Sequence, residues 1–167
     1  MIVDLNDAPG ANLSFDCEVT PDLEEEAARI AEPLKASGII LRTGPKVVVE
    51  GRVNGFVDCD CVRCLRSMKL PVDLSFREVF VPAELFDNES ESQIAGEDMD
   101  ASLLSDDVLD ISEIVREQVL LFLPEQIFCE PGCRGLCPDC GANLNDSECG
   151  CGREEIDPRW SALKDIK

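Results

Sequence analysis

Three observations predict an α+β fold with a β-hairpin-rich body, a few helices and a C-terminal cysteine-rich zinc knuckle. Residues 46–61 and 69–77 alternate apolar and polar side chains at period two. Residues 110–123 carry a helical apolar stripe behind a capping residue. Six cysteines fall between Cys129 and Cys151 in a chain that has no histidine.

Thr20 to Gly38 reads as a helix, with Thr20 as N-cap, Pro21 at the first helical position, acidic Asp22, Glu24, Glu25 and Glu26 in the first turns, and Gly38 beyond its end. Leu23, Ala27, Ile30 and Leu34 line one face, and Pro33 breaks or kinks the last turns. In the next stretch Val47, Val49, Val53, Val57, Cys59 and Cys61 share one parity, which predicts a strand with one buried face. Asn54-Gly55 resembles a hairpin turn, but a turn there would send Asp58 inward, so the strand is expected to run through it. Leu70, Val72, Leu74 and Phe76 mark a second strand, which places "CVRCLRSM" at the tip of a long hairpin.

Glu84 to Asp107 holds nine acidic residues and no basic one, the composition of a mobile linker. Asp110 and Glu113 then form a capping box for a helix carrying Ile111, Ile114, Val115, Val119 and Phe122, stopped by Pro124. The expected organisation is a β-rich body with an N-terminal helix over 1–82, an acidic flexible linker over 83–107, and a helix with a cysteine-rich metal-binding segment over 108–167 that packs on the body.

The 167 residues suffice for a real core without staples, and 35 acidic against 15 basic residues give a formal charge of −20. Such a chain is repelled by nucleic acid and anionic membranes unless its basic groups are gathered together. Neither a signal-peptide pattern nor a long apolar run is present, which predicts a cytoplasmic protein whose ten cysteines serve metal or redox chemistry rather than disulfides. Without histidine, Ser-His-Asp and Cys-His catalysis are excluded from this chain alone.

In "CPDCG", Cys137 and Cys140 sit three apart on a tight turn and can face one ion, with Gly141 letting backbone N–H groups approach the sulfur charge. A structural zinc needs four thiolates, so two more come from Cys129 and Cys133 or from Cys149 and Cys151. The two left over are spare, or form a second site with the hairpin pair Cys61 and Cys64. Cysteine-only ligation suits iron as well as zinc. The hairpin cluster Cys59, Cys61 and Cys64 also admits a buried apolar role or a redox pair, although its spacing differs too much from the second cluster for the two to be copies.

Residues 42–77 hold seven basic and four acidic side chains, a surplus of three, which leaves −23 for the rest of the chain. That contrast nominates Arg52, Arg63, Arg66 and Lys69 as RNA-contacting residues, against the alternative that the strand faces pair their charges internally.

"CVRCLRSMKL", "DISEIVREQVLLFLP", "CRGLCPDCGANLN" and "EEIDPRWSALKDI" occur in that order, and together they resemble the YceD-like family, named for large ribosomal RNA subunit accumulation. By that resemblance Cys61, Arg63, Cys64 and Leu65 match its C-x-R-C-L motif. Cys133, Gly135, Leu136, Cys137, Pro138, Cys140 and Gly141 match C-x-G-L-C-P-x-C-G, and Asp157, Pro158 and Arg159 match its terminal D-P-R. The resemblance implies a non-enzymatic factor in large-subunit biogenesis that supports synthesis, processing or stability of the large-subunit rRNA. Its partners would be that rRNA or a ribosomal protein, with no membrane and no small-molecule substrate. The alternative is a thiol redox or metal-transfer protein that uses its C-x-x-C pairs.

Overall fold

The computed structural model describes residues 1–7, 12–23, 28–82, 101–104 and 107–151. Its strands are β1 (Ile2–Asp4), β2 (Leu13–Val19), β3 (Ala28–Arg29), β4 (Leu34–Thr43), β5 (Lys46–Asp60), β6 (Ser67–Pro82), β7 (Ala101–Leu104) and β8 (Val108–Asp110); the helix is α1 (Ile111–Phe122). The main sheet has the order β2-β4-β5-β6-β7, with the short β3 pairing β5, while β1 and β8 form a separate antiparallel pair. This is mostly sheet with one α-helix among the described residues, which meets the α+β expectation in its coarse form.

β5 and β6 pair antiparallel from Val47↔Phe80 to Asp60↔Ser67, and β5 passes through Asn54 and Gly55 without turning. Close packing explains the glycine: a Cβ at Gly55 would lie 2.5 Å from Leu34 Cδ2. Inward residues Val47, Val49, Val53, Val57 and Cys59 join Leu34, Ala36, Ile40, Val72, Phe76 and Phe80 in one apolar layer. The stripe Ile111, Ile114, Val115 and Val119 of α1 packs in the same core. The Asp110 side chain accepts from the Ser112 N–H and so caps α1, whereas Glu113 is ion-paired to Arg116 instead of closing the expected box.

Two expectations are corrected. The helix over 20–38 is absent from its described part: Thr20 to Leu23 form neither helix nor strand, Ala28–Arg29 is β3, and β4 begins at Leu34; residues 24–27 lie outside the described set. Leu34, Ala36 and Ile40 keep a strand's period two, hidden in the sequence because the intervening position is Gly38. Gly38 is no helix cap. It sits in the register row Phe15–Gly38–Gly51–Phe76, where a Cβ at Gly38 would be 2.7 Å from Phe15 Cζ and one at Gly51 2.6 Å from Phe76 Cζ. The two rings occupy the space the missing side chains leave.

The second correction concerns the acidic linker. Residues 83–100, 105 and 106 lie outside the described set, but 101–104 forms β7, parallel to β6, and Asp107 pairs with Arg42 at 3.0 Å. "ASLL" is an apolar island inside the acidic run, and Leu104 is buried in the core. Composition averaged over the whole run concealed it.

Candidate metal centres

The tip of the β5–β6 hairpin is a tight turn around two thiols. Cys61 N–H donates to Arg66 O (3.0 Å), Leu65 N–H donates to Cys61 O (2.9 Å), and Leu65 takes a left-handed φ of 57°. "CPDCG" repeats the pattern: Cys137 N–H donates to Ala142 O (2.8 Å), Gly141 N–H to Cys137 O (2.9 Å), and Gly141 has φ 73°. The two clusters differ in the spacing of their other cysteines, but they share one knuckle. The likeness is hidden in the sequence, where leucine follows the first pair and glycine the second.

Eight thiols assemble in two sets of four. Cys61, Cys64, Cys129 and Cys133 form one, Cys137, Cys140, Cys149 and Cys151 the other, and the sulfurs within each set all lie within 4.8 Å of one another. Of the alternatives the sequence leaves open, the structure takes one: Cys137 and Cys140 group with Cys149 and Cys151, and the two left over, Cys129 and Cys133, group with the hairpin pair. The sulfurs Cys61–Cys133 are 3.7 Å apart and Cys64–Cys129 3.6 Å. Four sulfurs held at ~2.3 Å around one tetrahedral ion stand about 3.8 Å apart, so the spacing fits a single zinc-sized centre and is far longer than a disulfide.

Backbone and side-chain contacts hold the first set across the fold. Val62 N–H donates to Ile127 O (2.9 Å) and Leu136 N–H to Arg63 O (3.1 Å). Arg63 donates to Cys133 O (2.9 Å), and its guanidinium lies over the Phe128 ring, 4.3 Å from the centroid. The sets differ in exposure: Cys61, Cys64 and Cys133 are buried, whereas Cys140 is exposed and Cys149 and Cys151 are half-buried. Cys17 and Cys59 belong to neither set; Cys59 packs in the main core and serves as the small apolar residue its strand parity suggested.

Each set contains thiols pushed in opposite directions. Burial drives the Cys61 thiol up, but N–H groups of Cys129, Cys64 and Arg63 outweigh it and bring it down to about 6. The N–H groups of Cys140 and Asp139 lower Cys137 to about 7. Burial first, and then the neighbouring thiols, push Cys129 up to about 12; the Cys140 thiol beside Cys151 pushes that group up to about 12 as well. One sulfur per set is thus held below the ordinary thiol range and another well above it, so the second must give up a proton to ligate a cation near neutral pH.

The nominated RNA-contacting residues all have partners within the chain. Arg52 makes a two-pronged pair with Asp73 at 2.8 Å for each prong, Arg66 pairs with Asp146 at 2.9 Å, and Lys69 pairs with Glu32 at 2.9 Å. Arg63 is committed to Cys133 and Phe128. Each of the four is thus engaged within the chain, in the manner of the internal-pairing alternative. Among the described residues no helix is long and apolar enough to cross a membrane.

The family model for the large ribosomal RNA subunit accumulation protein YceD matches residues 49–167, which include both four-thiol sets. The chain belongs to the YceD family. A Mycobacterium tuberculosis protein is 34% identical over 121 residues, covering 72% of this chain and 55% of that protein. The Bacillus subtilis protein YlbN is 28% identical over 159 residues, covering 92% and 88%. The chloroplastic YCED homolog 1 of Arabidopsis thaliana, named as a large ribosomal RNA subunit accumulation protein, is 29% identical over 159 residues, covering 81% and 49%. The chain thus spans about half the length of the mycobacterial and plant relatives it matches. No solved structure matches it. The terminal Asp157, Pro158 and Arg159 lie outside the described residues.

Proposed function

We propose that this chain is a non-enzymatic factor in large ribosomal subunit biogenesis that supports accumulation of the large-subunit rRNA and acts in the cytoplasm. The observation that carries the reading is the family match over residues 49–167, with plant relatives named for that process. An adaptor role is supported by the donor sets. Four sulfurs around one point make a closed coordination shell, the form zinc takes when it holds a fold together, whereas catalytic sites keep an open position. Cys61, Cys64, Cys129 and Cys133 would hold one zinc ion and Cys137, Cys140, Cys149 and Cys151 a second; when bound, each ion supplies a cross-link between chain segments. The thiol redox alternative draws less support, because Cys61 and Cys64 are buried within a set of four and form no free C-x-x-C pair.

Charge favours a basic ribosomal protein of the large subunit over direct rRNA contact. A chain of −20 attracts basic proteins, and Arg52, Arg63, Arg66 and Lys69 are already engaged within it. Depletion of the protein is expected to lower large-subunit rRNA relative to small-subunit rRNA. Wild-type chain should restore the ratio, and Cys137→Ser/Cys140→Ser should not; an unchanged ratio on depletion would overturn the assignment. Association with large-subunit precursors should survive nuclease treatment and the double change Arg52→Glu/Lys69→Glu, whereas loss under both would return the RNA-contacting hairpin.

A further inference from the structure

The two four-thiol sets are joined by one side chain. Asn145 belongs to the loop between Cys140 and Cys149, both of the second set, yet its Nδ2 donates to Cys133 Sγ of the first at 3.3 Å. Its orientation is fixed independently: Oδ1 accepts the Arg134 N–H at 2.7 Å, which only an oxygen does, so the amide nitrogen faces the sulfur. Asn143 Oδ1 completes the cradle, accepting from Asn145 Nδ2 (2.8 Å) and from Asn145 N–H (3.0 Å).

We propose that Asn145 couples the two metal sites, so that occupancy of the Cys137 set raises the affinity of the Cys61 set. The inference rests on the reading of both sets as zinc sites. The loop that carries Asn145 is short and polar, with no buried residue between Cys140 and Cys149 and so no apolar core of its own to order it. Its internal contacts are turn hydrogen bonds from Asp146 and Ser147 N–H to Asn143 O (3.2 Å each), and its ties to the rest of the chain are Leu144 N–H to Gly135 O (2.9 Å) and the exposed Asp146–Arg66 pair (2.9 Å). An ion that draws Cys140 and Cys149 together fixes both ends of the loop and therefore the position of Asn145. An N–H aimed at a ligating thiolate disperses its charge and holds its direction, and removal of such outer contacts typically weakens metal binding about 10- to 100-fold. Coupling of this kind is reciprocal: the first ion must strengthen the second site by the same factor.

The test uses the full chain and zinc in competition with a chromophoric chelator, with occupancy assigned by protection of Cys61 and Cys64 from alkylation. Disabling the second set by Cys140→Ser/Cys149→Ser is expected to lower first-set affinity about 10- to 100-fold. Asn145→Ala should lower it similarly, and combining the changes should lower it no further. Cobalt(II) in Asn145→Ala should still give two tetrahedral thiolate centres, which shows that the loop folds. First-set affinity unchanged by loss of the second set, or losses that add in the combined variant, would overturn the coupling while leaving two independent sites. A chain that binds no metal in any form would overturn the metal reading itself.

Discussion

Leu65 holds a left-handed conformation that its counterpart Gly141 adopts without a side-chain clash. Such a conformation costs a branched residue roughly 1–2 kcal/mol, and glycine loses somewhat more chain entropy on folding. Leu65→Gly is therefore expected to stabilise the protein by about 0.5–1 kcal/mol, read as a rise in denaturant midpoint at unchanged slope. Leu65 is 65% exposed, so this change removes little packing. Proton linkage acts at the same scale. Cys61 and Cys137, held at about 6 and about 7 against an ordinary 9.0, contribute stability that is complete above pH 9 and lost as pH falls through 7 and 6. Cys129 and Cys151, raised to about 12, act oppositely in the metal-free chain, favouring the fold below pH 9 and losing that contribution as pH rises through 12. A cation bound at either set must displace the protons its thiols still hold, so zinc binding should release protons and weaken steadily from pH 8 to pH 6. Calorimetry in buffers of different ionisation enthalpy checks the release.

At the scale of elements, the glycine row across β2, β4, β5 and β6 leaves no room for an added side chain. A Cβ at Gly38 would sit 2.1 Å from Glu50 O, a backbone atom that cannot turn aside. Gly38→Ala should thus destabilise by about 1–3 kcal/mol, measured by thermal or denaturant unfolding. Ile111→Ala, at a fully buried position on α1, should cost about 2–5 kcal/mol. The same elements show what was legible in the sequence. β5, the inward stripe of α1 and its cap at Asp110 follow from periodicity and capping chemistry, because each depends on neighbours within a dozen residues. β4 was misread because its inward positions are Leu34, Ala36, Gly38 and Ile40, and the two small residues mute the alternation while Thr20-Pro21 and the acidic run imitate a helix start. Its identity is set by Phe15, a ring distant in sequence that fills the gap at Gly38.

For the whole molecule, the question left open by sequence was which thiols meet. The knuckle at Cys137 and Cys140 was readable, but the partners of Cys129 and Cys133 depend on how residues 127–136 lie against the hairpin tip, a long-range fact carried by Ile127, Phe128 and Arg63. Elemental analysis is expected to give about two zinc ions per chain; a strong chelator should expose eight thiols in two kinetic steps, the set with exposed Cys140 first. Release of four thiols only would contradict the two-centre arrangement. The first centre also imposes an order on the protein's birth. Cys64 and Cys129 are 65 residues apart, so at ~5–20 residues per second the hairpin tip leaves its own ribosome about 3–13 s before its partners do. Throughout that interval the nascent chain presents two thiols of an incomplete centre, and the cell's free zinc and oxidants compete for them before translation delivers the rest.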